Sequence, residues 1–140
     1  CKKKTSTKKQ HVVSKLPKVL CLHLKRFDAA NHKKIEEFVP FPSCGLNMGR
    51  FLPHWCEVSR VLSSPRNDAV DKTAPQVLYD LFATVNHLGN LQSGHYVTNL
   101  KVRQKWYHVN DSHVGFAGLG DGEQEVLNSQ GAYLLFYTRR

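Results

Sequence analysis

Two strand-length runs, residues 95–102 and 105–111, flank the dipeptide Arg103-Gln104. A turn this tight reverses the chain, so its arms pair antiparallel; parallel strands need a long crossover. That hairpin constrains the chain more than any other feature, because its register also fixes which side chains meet. With a two- or four-residue turn centred between Arg103 and Gln104, His95 faces Ser112 and lies diagonal to Asn110. Side chains so related on one face stand roughly 5–8 Å apart at Cβ, within reach of an imidazole and an amide. Asp111 then points to the other face; a three-residue turn would shift the register by one and bring Asp111 round instead.

The rest of the chain reads as β structure with little helix. In residues 19–27, Val19, Cys21, His23, Lys25 and Phe27 share one parity and Leu20, Leu22, Leu24 and Arg26 the other, as a half-buried strand requires. A polar loop over 28–33 leads to a short strand expected around 35–39, stopped by Pro40 and Pro42. Residues 53–76 carry two prolines and no sustained period, which predicts a surface insertion loop. A β-rich run at 77–85 precedes a Gly-containing loop at 88–94, and Gly118 to Gly122 is expected to be flexible. A short helix is expected at 123–129, and the apolar run 132–137 suits a buried central strand. The expected architecture is one antiparallel-sheet domain.

Charge narrows the function classes. The net charge is +9, but residues 1–34 hold 11 Lys or Arg against the single acid Asp28, while the remainder is near balance with 9 basic and 10 acidic residues. No aromatic interleaves Lys2 to Lys9, so a base-stacking platform is not expected and nucleic acid is an unlikely partner. No run of about 18 apolar residues is present to span a membrane. The four cysteines (Cys1, Cys21, Cys44, Cys56) form no complete CxxC, neither a disulfide scaffold nor a self-contained zinc site. Free thiols suit a reducing compartment, the nucleus or cytoplasm. The chain starts at Cys1 and not at Met, which suggests a part of a longer protein.

The motif Ser93-Gly94-His95-Tyr96 followed by Trp106 and Asn110 is the base-plus-orienter half of a cysteine-protease triad. An imidazole with an ordinary pKa of about 6.5 can take a thiol proton and return it to a leaving amine. Asn110 would accept the other ring N–H and set tautomer and ring angle. Gly94 would let an extended substrate backbone approach, and Trp106 would wall the cleft. The nucleophile is not evident: Cys21 sits in an apolar strand pattern, where a buried thiol acts as a small hydrophobe, and Cys44 and Cys56 flank loops with no helix N-terminus to lower a thiol pKa. It is expected upstream of Cys1.

Together these segments resemble the C-terminal half of the catalytic domain of the ubiquitin-specific proteases. The resemblance rests on Leu16-Pro17, Leu22-His23-Leu24-Lys25-Arg26-Phe27, Phe41-Pro42, Tyr79-Asp80-Leu81 and Asn86-His87 through Gly94-His95-Tyr96, then Trp106, Val109 to Val114 and Ala132 to Tyr137. It implies an α+β papain-like hand, of which residues 1–140 supply the mostly antiparallel palm and the rear of the fingers, with residues 1–15 a basic arm at the edge of the fingers. It implies His95 as general base, Asn110 as third triad member and Asp111 as an assisting residue. Ser93, Gly94, Tyr96 and Trp106 would bind the ubiquitin tail, and the loops at 28–34 and 87–93 resemble two that close over it. Cys1 resembles the last ligand of a zinc ribbon whose other three ligands are absent; the chemistry itself calls for no cofactor. Ubiquitin and ubiquitinated proteins are the implied partners, with histones or a chromatin complex suggested by likeness to histone-deubiquitinating members.

No cysteine box occurs in the 140 residues, so the chain alone is expected to be inactive. The rival reading is a catalytically inactive ubiquitin-binding or scaffold module; a basic nucleic-acid-binding domain is a third.

Overall fold

The computed structural model describes residues 6, 9, 11–52, 75–117, 126, 127 and 129–140. Among the described residues nine strands follow one another: β1 (Val19–His23), β2 (Phe27–Asp28), β3 (Lys33–Lys34), β4 (Leu46–Asn47), β5 (Leu78–Gly89), β6 (Gly94–Val102), β7 (Lys105–Asn110), β8 (His113–Phe116) and β9 (Ala132–Arg139). Seven build one antiparallel sheet in the order β1-β9-β5-β6-β7-β8, with β4 pairing β5 beside that path; β2 and β3 form a separate two-stranded ribbon. The apolar run at 132–137 lies, as its composition requires, between two other strands.

The core occupies one face of this sheet. Tyr79, Leu81, Trp106, Val126, Ala132, Leu135 and Tyr137 are each at most 2% exposed. Register breaks with β9 between Leu81 and Ala83 and again between Val85 and Asn86. The first shifts the alternation, so that Tyr79 and Leu81 before it and Thr84 and Asn86 after it face the same interior. Two buried tyrosines also fasten the extended proline segments. Tyr79 donates its hydroxyl to the Pro17 carbonyl at 2.5 Å, and Tyr137 to the Pro42 carbonyl at 2.8 Å. Proline has no N–H for a ladder but keeps its acceptor, which these phenols use. Burial pushes the Tyr137 hydroxyl pKa up to about 12.

The strand expected around 35–39 does not form; residues 35–40 carry no regular structure, and the ribbon strand ends at Lys34. The cause is Arg26, which is 2% exposed. Its Nη1 donates to the carbonyls of Ile35 and Glu37, each at 2.9 Å, and its Nε to Ala132 O at 2.5 Å. The guanidinium therefore takes acceptors that a neighbouring strand would have used. Cys21, expected to be buried, is exposed on the edge strand β1, where Leu20 and Leu22 are the partly buried side chains. The chain over 113–116 forms the opposite edge strand, which its sequence did not announce. Most of the 53–76 insertion, most of the basic arm, most of the 123–129 helix and Cys1 lie outside the described residues. Among the described residues no helix is long and apolar enough to cross a membrane.

Candidate active site

The β6–β7 hairpin closes on two residues, Arg103 and Gln104, with φ of 47° and 66°. Positive φ at both turn positions is the type I′ geometry, whose twist matches that of the strands it joins. The pairing follows the register of a turn centred there: Thr98 opposes Val109, and Leu100 opposes Tyr107. This ladder stops at Thr98–Val109. Beyond it His95 is held by β5, opposite Leu88, and Asn110 by β8, opposite His113. Each residue is anchored by a different neighbour, and across the gap they meet through their side chains: His95 Nε2 lies 2.5 Å from Asn110 Oδ1. An amide oxygen only accepts, so Nε2 carries the proton and donates, which leaves Nδ1 with the free lone pair. The His95 side chain is 46% exposed.

Asp111 departs from the alternation expected of it. β7 ends at Asn110, and Asp111 is a turn residue with φ of 51°. Leaving the pleat swings its carboxylate back toward the site, where Oδ2 stands 4.0 Å from His95 Nε2.

The expected ubiquitin-tail residues divide. Ser93, Gly94 and Tyr96 border a cavity of about 310 Å³ that Phe27, His87 and Leu91 also line. Tyr96 follows His95 on a strand, so the two side chains leave opposite faces of the sheet. Trp106 does not wall a cleft: it is 2% exposed and packed in the core, because its strand position puts it on the interior face beside Leu135 and Val126. Gly94 has a second and nearer reason to lack a side chain. A Cβ there would stand 2.1 Å from His87 Nε2 and 2.8 Å from Leu88 O, so the imidazole of His87 occupies that space.

His87, which the resemblance includes in its Asn86-His87 segment without giving it a role, is 5% exposed between the rings of Phe27 and Tyr96, at centroid distances of 5.1 and 4.9 Å. Burial first, and the Lys34 charge second, lower its pKa from the ordinary 6.5. A second histidine–carboxamide pair also escaped the sequence reading. His108 Nδ1 donates to Asn99 Oδ1 at 2.9 Å. Asn99 and Asn86 both donate to Thr84 Oγ1, at 3.3 and 3.4 Å, and Ser129 Oγ donates to Asn86 Oδ1 at 2.8 Å. The signal was available in the alternation: His108 and Asn110 share a parity, as do His95 and Asn99.

Among the described residues no cluster of three or more His, Cys, Asp or Glu is arranged to hold a metal ion. The exposed thiols Cys21 and Cys44 make no contact with His95.

A family model for ubiquitin carboxyl-terminal hydrolases matches residues 1–137. The chain belongs to this family. Ubiquitin carboxyl-terminal hydrolase 3 of Mus musculus is 38% identical over 143 residues, covering 100% of this chain and 24% of its own length. Ubiquitin C-terminal hydrolase 22 of Arabidopsis thaliana is 31% identical over 150 residues, covering 99% of this chain and 26% of its own. Among solved structures, the SAGA Ubp8/Sgf11/Sus1/Sgf73 DUB module bound to ubiquitin aldehyde is similar with a TM-score of 0.69 and 35% identity, over 92% of this chain and 26% of that one. A yeast SAGA module matches equally well in shape, with a TM-score of 0.69 and 34% identity. The chain thus spans about a quarter of the length of the relatives it matches. The mostly antiparallel sheet is the architecture of that part of the family's domain.

Proposed function

We propose that this chain is the base-bearing portion of a thiol-dependent deubiquitinase that hydrolyses bonds to the ubiquitin C-terminus. The observation that carries the reading is the 2.5 Å contact between His95 Nε2 and Asn110 Oδ1 in a chain of this family. With Nε2–H donated to the amide, Nδ1 is the nitrogen to receive a thiol proton from a cysteine outside these 140 residues. The thiolate attacks the scissile carbonyl and the imidazolium gives its proton to the departing lysine amine, leaving a thioester. Water, deprotonated by the same imidazole, then cleaves the thioester to free the ubiquitin carboxylate and the thiol. Asn110 keeps the ring in the productive tautomer without adding charge. Asp111 stands beside the ring as the assisting residue, its carboxylate 4.0 Å from Nε2.

Ubiquitin and ubiquitinated proteins are the partners in this reading, supported by the neighbouring module bound to ubiquitin aldehyde. The chain's likeness to SAGA DUB modules supports a chromatin-associated substrate such as a histone; a nuclear or cytoplasmic setting is part of the same proposal. A structural zinc with Cys1 as one ligand belongs to the same reading; the proton transfers at His95 do not call on it.

The test is hydrolysis of a fluorogenic C-terminal ubiquitin conjugate by the full-length protein beside its His95→Ala variant. Activity in the parent that vanishes in the variant is expected. A parent that binds ubiquitin but never cleaves it would favour the inactive binding module.

A further inference from the structure

β9 leaves β5 at the Asn86–Ala132 pair, yet β5 continues to Gly89. Over those last residues the edge of β5 that β9 had covered has no strand partner among the described residues. Unpaired main-chain groups in a partly buried setting are costly, and three are nevertheless satisfied here. His87 N donates to Gly131 O at 2.8 Å. The carbonyls of His87 and Gly89 both accept from one ammonium, Lys34 Nζ, at 3.0 and 2.8 Å. Lys34 comes from β3, 53 residues away from His87, and forms no ion pair among the described residues. A cation half-buried without a carboxylate, spending its donors on two carbonyls of one strand end, acts as a bracket.

What it brackets is the stem of the 90–93 loop. That loop is stiff within itself: Asn90 Oδ1 accepts from the N–H groups of Gln92 and Ser93, each at 2.9 Å, and Asn90 N donates to Ser93 O at 2.9 Å. Gly89, with φ of 100°, closes against Ser93, where a Cβ would lie 2.5 Å from the Ser93 carbonyl. A stiff loop pivots on its stems, so the β5 stem sets where Ser93 and Gly94 stand at the end of the sheet beside His95. His95 shares that stem through its pairing with Leu88, whereas Asn110 is held by the β7–β8 hairpin.

We propose that Lys34 is a positioning residue for substrate: it holds the 90–93 loop at the angle that receives the extended ubiquitin tail, and leaves the proton chemistry to His95 and Asn110. The proposal rests on the deubiquitinase reading. Two variants of the full-length protein separate it from a general structural role. Lys34→Met keeps the methylene stem and loses both charged hydrogen bonds; Lys34→Arg keeps a cation with several donors.

With a fluorogenic ubiquitin conjugate, Lys34→Met is expected to raise KM by roughly tenfold, the scale of charge-assisted hydrogen bonds, with kcat within about twofold. Lys34→Arg is expected to recover most of that loss. In Lys34→Met the amides of Asn90, Gln92 and Ser93 should exchange with deuterium about tenfold faster, with the protection of β7 and the melting temperature unchanged. Unchanged KM and loop exchange would overturn the bracket. So would a fall in kcat and melting temperature together, with protection lost across the whole sheet, since that is a fold defect. Amide exchange needs no turnover: a full-length protein inert toward the conjugate sinks the hydrolase reading, and loop exchange still decides whether Lys34 holds the loop.

Discussion

One hairpin carries two histidine–carboxamide pairs on the same sheet face, and they differ in everything except their parts. His95 and Asn110 stand at the open end of the ladder, with the imidazole half-exposed, Nε2 engaged and Nδ1 free. His108 and Asn99 lie further in, with Nδ1 engaged and the amide tied onward through Thr84 to Asn86 and Ser129. The first pair leaves a lone pair for chemistry. The second spends its polarity on neighbouring strands, as buried polar groups must. Residue type alone therefore does not make a reactive site; position along the ladder does.

The sharpest way to break that contrast is to truncate each histidine. His95→Ala in the full-length protein should cost roughly 10²- to 10⁴-fold in kcat/KM, with stability within about 0.5 kcal/mol, because the side chain is exposed. His108→Ala should do the reverse, lowering the urea midpoint by the equivalent of about 1–3 kcal/mol while kcat/KM stays within a few-fold. If both variants lost activity equally with intact melting curves, the two pairs would share one function.

Next in size comes Thr84→Val, which removes the oxygen on which the amides of Asn86 and Asn99 converge, in a residue with 0% exposure. Two stranded donors should cost about 1–3 kcal/mol in urea unfolding. A neutral result would mean that the network contributes nothing to the fold. Asn110→Ala tests the orienter: kcat/KM should fall roughly tenfold, the worth of one hydrogen bond, and Asn110→Asp should restore much of it.

The smallest effect belongs to His87, the histidine with a buried Nδ1 that has no hydrogen-bond partner. Its pKa in the folded protein lies below the ordinary 6.5, chiefly through burial. The unfolded chain then takes up the proton first as pH falls. Stability from this group is complete above about pH 6.5 and is lost as pH drops toward the folded value. Urea midpoints measured between about pH 7.5 and about pH 5 should slope downward with acid, and His87→Leu should flatten that part of the slope. A slope identical in the variant would assign the acid sensitivity to other groups.

Much of this site was legible before any coordinates, and the reason is locality. A two-residue turn and a side-chain period of two are properties of contiguous sequence, so the diagonal relation of His95 and Asn110 follows from counting along one hairpin. The strands expected at 19–27, 77–85 and 132–137 were readable on the same ground and form at 19–23, 78–89 and 132–139, with β5 running into the expected 88–94 loop. Trp106 was misjudged because an aromatic on a strand has two faces to choose from, and a hairpin alone does not say which one a core will cover. Counting along the hairpin turned Asp111 to the far face because alternation ends where a strand ends, and β7 stops one residue earlier than its sequence suggests; the resemblance itself names it an assisting residue. The missing strand at 35–39 reflects a competitor for the same carbonyls, the guanidinium of Arg26, which its distant bond to Ala132 O holds buried beside them.

By itself, then, the sequence determined the antiparallel hairpin, its register, the apolar central strand and the meeting of His95 with Asn110, since each depends on neighbours within about twenty residues. Only the tertiary structure decided which face is interior, that Gly94 is required by the ring of His87, and that Lys34 reaches the end of β5. Gly94 and His87 are near in sequence, but their fit depends on how the buried ring is turned; Lys34 and β5 are joined across more than fifty residues, because β9 leaves β5 early and exposes carbonyls that a distant cation can take.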